Sequence, residues 1–366
     1  MKKKLSILGT RGIPAQHGGF ETFAEHLAPY LVKHGWEVTV YCQDEGEGDS
    51  YEDTWNGIQL VHIPVRQSGA LGTIVFDWKS TLHAARSSDL ILTLGYNTAI
   101  FSTLYRLRGI NNLINMDGIE WTRDKWSFPE KTWLYINERA GCWLGNHLIA
   151  DHPEIKKHLA TRVARNKITM IPYGADKVTH AEINILEQYG LEPENYAILV
   201  ARPEPENSIL EIVNAFSCKK RGKKLAVLGN YYPETSDYHK QVKEIASDEV
   251  VFLGAIYDKT VIQSLRYHAC LYIHGHTVGG TNPSLVEALG AGSPILAHDN
   301  RFNRWVAGTF SFYFKTMEEC AAALDTLLDN QPLLKQMREA SWEKHQEQFT
   351  WEKILSEYER LIQQHL

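Results

Sequence analysis

One stretch, HGHTVGGTNPSLVEALGAGSPILAHD from His274 to Asp299, limits the possible folds of this chain more than any other. It starts at the end of an apolar run, Cys270-Leu271-Tyr272-Ile273, that reads as a buried strand. Gly279-Gly280 breaks the run, Asn282 stands at an N-cap and Pro283 at a first helical position. Ser284 and Glu287 fall in the opening turns of that helix, and Gly290 and Gly292 end it. Ser293-Pro294-Ile295-Leu296-Ala297 then resumes an extended buried run. Strand, glycine loop, helix and strand form the repeating unit of an α/β sheet. The order also suits an anionic ligand, because glycines admit a close backbone and the amides at a helix start favour a phosphate. Glu287, a turn further in, is placed to accept hydrogen bonds from a sugar diol. The same residues also read as an ordinary turn with a good cap and a surface glutamate.

The segment VGGTNPSLVEALGAGSPILA resembles the nucleotide-binding part of retaining glycosyltransferases of family four, which have the GT-B fold. The resemblance implies that Gly279, Gly280, Thr281, Asn282, Pro283, Ser284 and Leu285 lie against the donor phosphates. It also implies that Glu287 contacts the ribose of the nucleotide. The family carries a second glutamate before the glycine-rich turn; here that position is Gly279, so it is missing. His274-Gly275-His276 ahead of the motif is most similar to the bacterial rhamnosyltransferases of polysaccharide assembly.

At 366 residues the chain exceeds one typical core, so two domains are expected. A net charge of -6 argues against nucleic acid as the main partner. Cys42, Cys142, Cys218, Cys270 and Cys320 are scattered, odd in number and without CxxC spacing, which fits core thiols in a reducing cytoplasm. Met1-Lys2-Lys3-Lys4 is followed by only a short apolar run, unlike a secretory leader. No run approaches the roughly 20 apolar residues of a membrane span. The expected location is cytoplasmic, with contact at the inner face of the cell membrane as an option.

Leu5 to Gly9 reads as the first strand, and the loop Thr10–Gly19 leads into a helix with Phe20, Phe23, Ala24, Leu27, Tyr30 and Leu31 at helical spacing. Glu37–Cys42 is the next strand, which makes a βαβ start of a parallel, doubly wound sheet. The glycines lack the GxGxxG order of a dinucleotide site. Gly18-Gly19 either permits a tight turn or brings amides to a ligand; the resemblance places such a pair beside the donor phosphates and the acceptor.

Further strands are expected at Gln59–Ile63, Leu90–Leu94 and Asn112–Asn115. Asp117 and Glu120 follow the last of these, where carboxylates can orient or deprotonate an acceptor hydroxyl. Asp117-Gly118 also reads as a turn, and Glu120 as a salt-bridge partner of Arg123. Four of the ten tryptophans lie between Trp121 and Trp143 among basic residues, as a packed wall or as a sugar or lipid surface. Lys156-Lys157-His158 through Arg162, Arg165 and Lys167 reads as a solvated helix face, or as one suited to anionic lipid.

Ile149-Ala150-Asp151-His152 and Lys167–Ile171 read as the last strands of the first half. A new sheet starts at Tyr196–Ala201 and continues at Leu225–Gly229 and Val250–Gly254. Arg202, just past its first strand, suits a phosphate. By resemblance Arg202 contacts the donor diphosphate, Asn207 stands where the family has a lysine, and Tyr257 lies near the nucleobase. His274 and His276 share a strand face, but no third metal ligand follows; a donor-sugar contact is preferred, and no metal or other cofactor is expected. His298-Asp299 reads either the same way or as a simple turn. Trp351, Ile354, Leu355, Tyr358, Leu361 and Ile362 form one stripe of a closing amphipathic helix.

The resemblance covers nearly the whole chain and implies an α/β protein of GT-B fold, with two Rossmann-like parallel-sheet domains and a cleft between them. Residues 1–172 would be the acceptor-side domain, 173–195 the connection, 196–348 the donor domain and 349–366 a helix crossing back. The implied reaction transfers a sugar, rhamnose from a dTDP-linked donor, to a hydroxyl of a glycan or lipid-linked acceptor with retention of configuration. Catalysis would rest on Asp117, Glu120 and Arg202. A UDP- or GDP-sugar donor, or a catalytically silent nucleotide-binding scaffold, are the alternatives.

Overall fold

The computed structural model describes residues 3–16, 18–88 and 90–366, so Met1, Lys2 and His17 of the features above lie outside it. The chain divides into two compact units, Met1–Pro172 with Trp351–Leu366, and Tyr173–Thr350.

The first unit carries β1 (Lys3–Leu8), β2 (Trp36–Glu45), β3 (Tyr51–Trp55), β4 (Ile58–Val65), β5 (Leu90–Leu94), β6 (Asn111–Asn115), β7 (His147–Ala150) and β8 (Ile168–Met170). They form one sheet in the order β3-β4-β2-β1-β5-β6-β7-β8, parallel except for β3. Both faces of the central strands are covered: Leu5, Ile7, Leu8, Ile91 and Leu92 are all buried, as continuous apolar runs in a parallel sheet should be. The covering helices include α1 (Gly19–Lys33), α2 (Gly69–Ser87), α3 (Thr103–Arg108), α4 (Phe128–Leu144) and α5 (Pro153–Leu159).

Two features depart from expectation. β3 is an added edge strand that pairs antiparallel with β4 through Asn56-Gly57, both left-handed at φ 49° and 78°, the geometry a two-residue hairpin demands. The strand expected to run to His152 stops at Ala150, and His152 instead caps α5 by accepting the Glu154 N–H at 3.0 Å.

The second unit forms a six-stranded, all-parallel sheet in the order β11-β10-β9-β12-β13-β14. Its strands are β9 (Tyr196–Val200), β10 (Lys224–Leu228), β11 (Val250–Gly254), β12 (Leu271–His274), β13 (Ile295–His298) and β14 (Phe312–Phe314). Between them run α6 (Ile209–Ser217), α7 (Asp237–Ile245), α8 (Lys259–His268), α9 (Pro283–Gly290) and α10 (Arg301–Ala307). After the last strand come α11 (Met317–Leu327) and α12 (Gln331–Gln348). One core packs Ile212, Phe216, Val242 and Leu324 on one sheet face; another packs Leu265, Leu285, Leu289 and Val306 on the other. Residues 173–195 are fastened to this unit: Ala175 N–H donates to Phe349 O at 2.8 Å, and Ser264 Oγ donates to Glu182 O at 2.6 Å.

The closing helix α13 (Trp351–Gln363) belongs to the first unit and buries its whole apolar stripe there. Tyr358 meets the Phe23 ring at 4.6 Å and its hydroxyl accepts from Asn115 Nδ2 at 2.9 Å. Trp351 stacks on His26 at 4.2 Å.

Candidate active site

In the second unit β9 lies between β10 and β12, so the sheet order reverses at its centre. Open α/β sheets bind ligands at the carboxyl ends of strands flanking such a point. The loops after β9 and β12 are laced together there. Thr277 donates through both its N–H and its hydroxyl to Glu206 O, each at 2.9 Å. A Cβ on Gly275 would stand 2.0 Å from Asn207 O, so only glycine allows this approach. Asn207 is itself buried, and its Nδ2 donates to Arg202 O at 2.7 Å. Its side chain therefore shapes the turn that holds Arg202, whose own side chain is exposed.

The helix start forms as its residues dictate. Asn282 caps α9 by accepting the Ser284 N–H at 3.0 Å, and Pro283 occupies the first helical position. Thr281 and Leu285 are buried beneath it, while Gly279 has a left-handed φ of 123° and open space around it. Glu287 is not a lone surface carboxylate. The buried Arg266 of α8 reaches Glu287 Oε2 at 2.6 Å and Ser284 Oγ at 2.9 Å, and Ser284 also shares a hydrogen bond with the Tyr272 hydroxyl at 2.7 Å. A carboxylate has further lone pairs to offer, so this pairing orients Glu287 while leaving it able to accept from a diol. No spacing signal connects Arg266 to Glu287, and sequence reasoning missed it.

His274 is fully buried at the end of β12, and among the described residues neither ring nitrogen has a hydrogen-bond partner. Its ring stacks on His276 at 4.4 Å and 9°. Burial, with the neighbouring charges of His276, Arg266 and His298, holds the His274 pKa well below the usual range, so it is neutral. The His276 carbonyl is pinned by Asn300 Nδ2 at 2.9 Å and Asn303 Nδ2 at 2.8 Å. Asp299 pairs with Arg304 and, at 3.8 Å, with Lys315. Among the described residues no group of three or more His, Cys, Asp or Glu side chains is arranged to hold a metal ion. Tyr257 is exposed in the loop after β11, two strands from β9.

In the first unit the sheet order reverses between β1 and β5. Gly18 has a φ of 101°, and a Cβ there would stand 2.0 Å from Glu21 Oε2; Gly19 opens α1 directly after it. Asp117 follows β6 at a φ of 49°, with its N–H donating to Asn115 Oδ1 at 3.0 Å. Burial, and then the charge of Glu120, raise the Asp117 pKa. Both Glu120 oxygens are engaged, by Arg123 Nη1 at 2.8 Å and Trp126 Nε1 at 3.3 Å. The salt bridge to Arg123 is thus the alternative the structure realises for Glu120, and Asp117 is the less committed carboxylate.

The basic stretch after residue 155 is a solvated face only in part, with Lys157 and Arg165 exposed. His158 Nε2 at 2.9 Å and Arg162 Nε at 3.2 Å turn inward to the buried Glu138, which also accepts from Trp121 Nε1 at 2.7 Å. Burial alone would raise the Glu138 pKa, but these donors and charges hold it below the ordinary carboxylate range. Trp121 belongs to that packed wall, whereas Trp143 is exposed.

Residues 182–344 match the family model of Glycosyl transferases group 1. Residues 2–176 match a model described as a domain of unknown function, DUF1972. No curated protein sequence matches. Sucrose-phosphate synthase from Thermosynechococcus elongatus is similar in structure over 99% of this chain and 98% of that one, with a TM-score of 0.78 and 18% identity. HepE from Anabaena in complex with UDP-glucose is similar over 99% of both chains, with a TM-score of 0.78 and 15% identity. The α,α-trehalose-phosphate synthase (UDP-forming) from Burkholderia xenovorans, in complex with glucose-6-phosphate, covers 98% of this chain and 100% of its own at a TM-score of 0.72 and 11% identity. At these identities the likeness is one of fold: two parallel-sheet α/β domains of the GT-B glycosyltransferase type. The matched segment contains Arg202, Arg266, the capped start of α9 and Glu287, which supports sugar transfer as the class of reaction.

Proposed function

We propose that this protein transfers a sugar, rhamnose from dTDP-rhamnose, to a hydroxyl of a glycan or lipid-linked oligosaccharide, with retention at the anomeric carbon. The observation that carries the sugar-transfer part is the array of Arg266, Ser284 and Glu287 at the capped start of α9, inside the segment that matches the group 1 transferases. Rhamnose rests on the form of the His274–Glu287 motif alone.

In this reading the α9 amides, Arg202 and the Gly18-Gly19 turn stabilise the charge that develops on the departing diphosphate. Glu287, held by Arg266, accepts from the 3′-hydroxyl of the deoxyribose, the one free hydroxyl of that ring in a dTDP-linked donor. Asp117 orients the acceptor hydroxyl, and Glu120 acts on Asp117 through its charge. The bond from the anomeric carbon to the diphosphate oxygen breaks, the acceptor oxygen attacks from the same face, and its proton goes to the leaving phosphate. The products are the glycoside and the nucleoside diphosphate. No helix among the described residues is long and apolar enough to cross a membrane. Contact with the inner membrane face is part of the proposal, supported by exposed Phe128 and Trp143 on α4 and by Arg139 over the Trp143 ring at 5.8 Å.

A UDP-sugar donor is the second reading, favoured by the HepE complex with UDP-glucose. The test is a thermal-shift panel of dTDP, UDP and GDP with their sugar-linked forms, since a ligand of the native state raises the melting temperature by mass action. A shift with dTDP-rhamnose supports the proposal. A preference for a UDP- or GDP-sugar discards rhamnose. Binding without release of nucleotide from any donor, in the presence of acceptor, leaves a silent scaffold.

A further inference from the structure

A cavity of about 240 Å³ opens in the first unit at the carboxyl ends of β1 and β5, where its sheet order reverses. Its lining includes Asp77, from the middle of α2, a residue with no role in the chemistry above. One carboxylate oxygen of Asp77 accepts from the Thr98 hydroxyl at 2.7 Å. Among the described residues no cation pairs with it. The other charged groups around the cavity are Arg11 and Glu21, and Glu21 Oε1 is engaged by the Arg11 backbone N–H at 2.8 Å; Tyr105 is the remaining titratable group. Thr10, Thr73 and Asn97 add polar groups, and Phe20 and Phe101 add ring faces.

A carboxylate withdrawn from water with one hydroxyl donor is costly. Burial pushes Asp77 up to about 6, against the Thr98 hydrogen bond that lowers it. Nothing in the packing of α2 calls for a charge at this position, and a ligand bearing hydroxyl donors would relieve it. A second anion would instead add repulsion. Polar groups converging beside aromatic faces are the usual chemistry of a small-molecule pocket.

We propose that this cavity is a subsite for an uncharged sugar ring, with Asp77 accepting hydrogen bonds from its hydroxyls and a phenylalanine ring against its C–H face. The inference rests on the sugar-transfer reading and names the class of acceptor: a neutral glycoside rather than a sugar phosphate. It thereby sets this chain apart from the trehalose-phosphate synthase structure, whose complex holds glucose-6-phosphate.

The experiment is saturation-transfer NMR on the whole protein with methyl glucoside, methyl rhamnoside and glucose-6-phosphate, comparing wild type with Asp77→Asn and Thr98→Val. Asp77→Asn keeps an acceptor for Thr98, and its melting temperature confirms folding. At least one neutral glycoside should bind, and weaken about tenfold in D77N, the usual cost of losing a charge-assisted hydrogen bond. T98V, which frees the carboxylate to turn, should also weaken it. Equal binding to wild type and D77N, tighter binding of glucose-6-phosphate than of its neutral counterpart, or no glycoside binding overturns the subsite. Nucleotide thermal shifts on the same samples separate the two failures. A wild type that binds nucleotide but no glycoside sinks the subsite alone, whereas one that binds no nucleotide sinks the sugar-transfer reading beneath it.

Discussion

The two sheets reverse their strand order at equivalent places, beside β1 in one unit and β9 in the other, yet the chemistry set there is opposite. Around β9 stand a buried arginine, two stacked histidines of which His274 is neutral, and an open helix start. Around β1 stand the half-buried carboxylate of Asp77, a second carboxylate already engaged by backbone, the exposed Arg11, and hydroxyls. A topology thus fixes where a ligand binds and leaves its charge to a few side chains. The β9 side suits an anion, and the Asp77 cavity beside β1 a neutral polyol.

The largest effects should come from the glycines that bring neighbouring backbones together at each point. A Cβ on Gly9, at a φ of 82°, would stand 2.1 Å from Leu94 O; on Gly275 it would stand 2.0 Å from Asn207 O. Gly9→Ala and Gly275→Ala should each cost about 3 kcal/mol in denaturant unfolding, because backbone must move. Their ligand losses should differ, nucleotide for G275A and glycoside for G9A. Loss of both ligands in both variants would break the comparison.

Next is Glu287→Ala, which leaves the buried Arg266 without its carboxylate. It should cost about 2 kcal/mol, reduced from the usual figure for a buried pair because Glu287 is partly exposed, and should abolish the nucleotide thermal shift. The double variant Arg266→Met with Glu287→Leu should regain stability without regaining nucleotide binding. Recovery of both would remove Glu287 from the ribose role.

Asp77→Asn should act in the other direction. The native state holds the Asp77 proton more tightly than the unfolded chain does, so stability falls as pH rises through the window that ends at about 6. D77N should therefore be more stable than wild type at pH 7, by about 1–2 kcal/mol, with the gain vanishing toward pH 4. Melting curves across that range check the sign; a destabilised D77N at pH 7 would make Asp77 a structural residue. The smallest change is expected for His274→Phe, under about 1.5 kcal/mol, since the ring keeps its stacking place and neither nitrogen has a partner to lose. Slower transfer with near-normal stability would mark His274 as a donor contact.

Most of both sheets was legible because the information is local: apolar runs such as Leu90–Leu94 and Val250–Gly254, bounded by turn residues, became strands with those bounds. The start of α9 was equally readable, since Asn282 and Pro283 act on their own helix. β3 was missed because Tyr51-Glu52-Asp53-Thr54 is polar and exposed, although Asn56-Gly57 carried the hairpin signal. β14, three residues long, offers no period to detect. Interactions across elements were invisible. Arg266 meets Glu287 from another helix, His158 and Arg162 turn in toward Glu138, and Asp77 reads in sequence as one polar position in a helix.

The closing helix has a consequence for how the protein comes to exist in the cell. Ribosomes make the chain from its N-terminus, so residues up to 172 emerge long before α13, whose Tyr358 and Trp351 cover Phe23 and His26. Residues 173–350 carry their own cores, and all their partners within that unit are translated before residue 351. The part made first is thus completed last, and its α1 face must wait through synthesis of the whole second unit for the cover it needs.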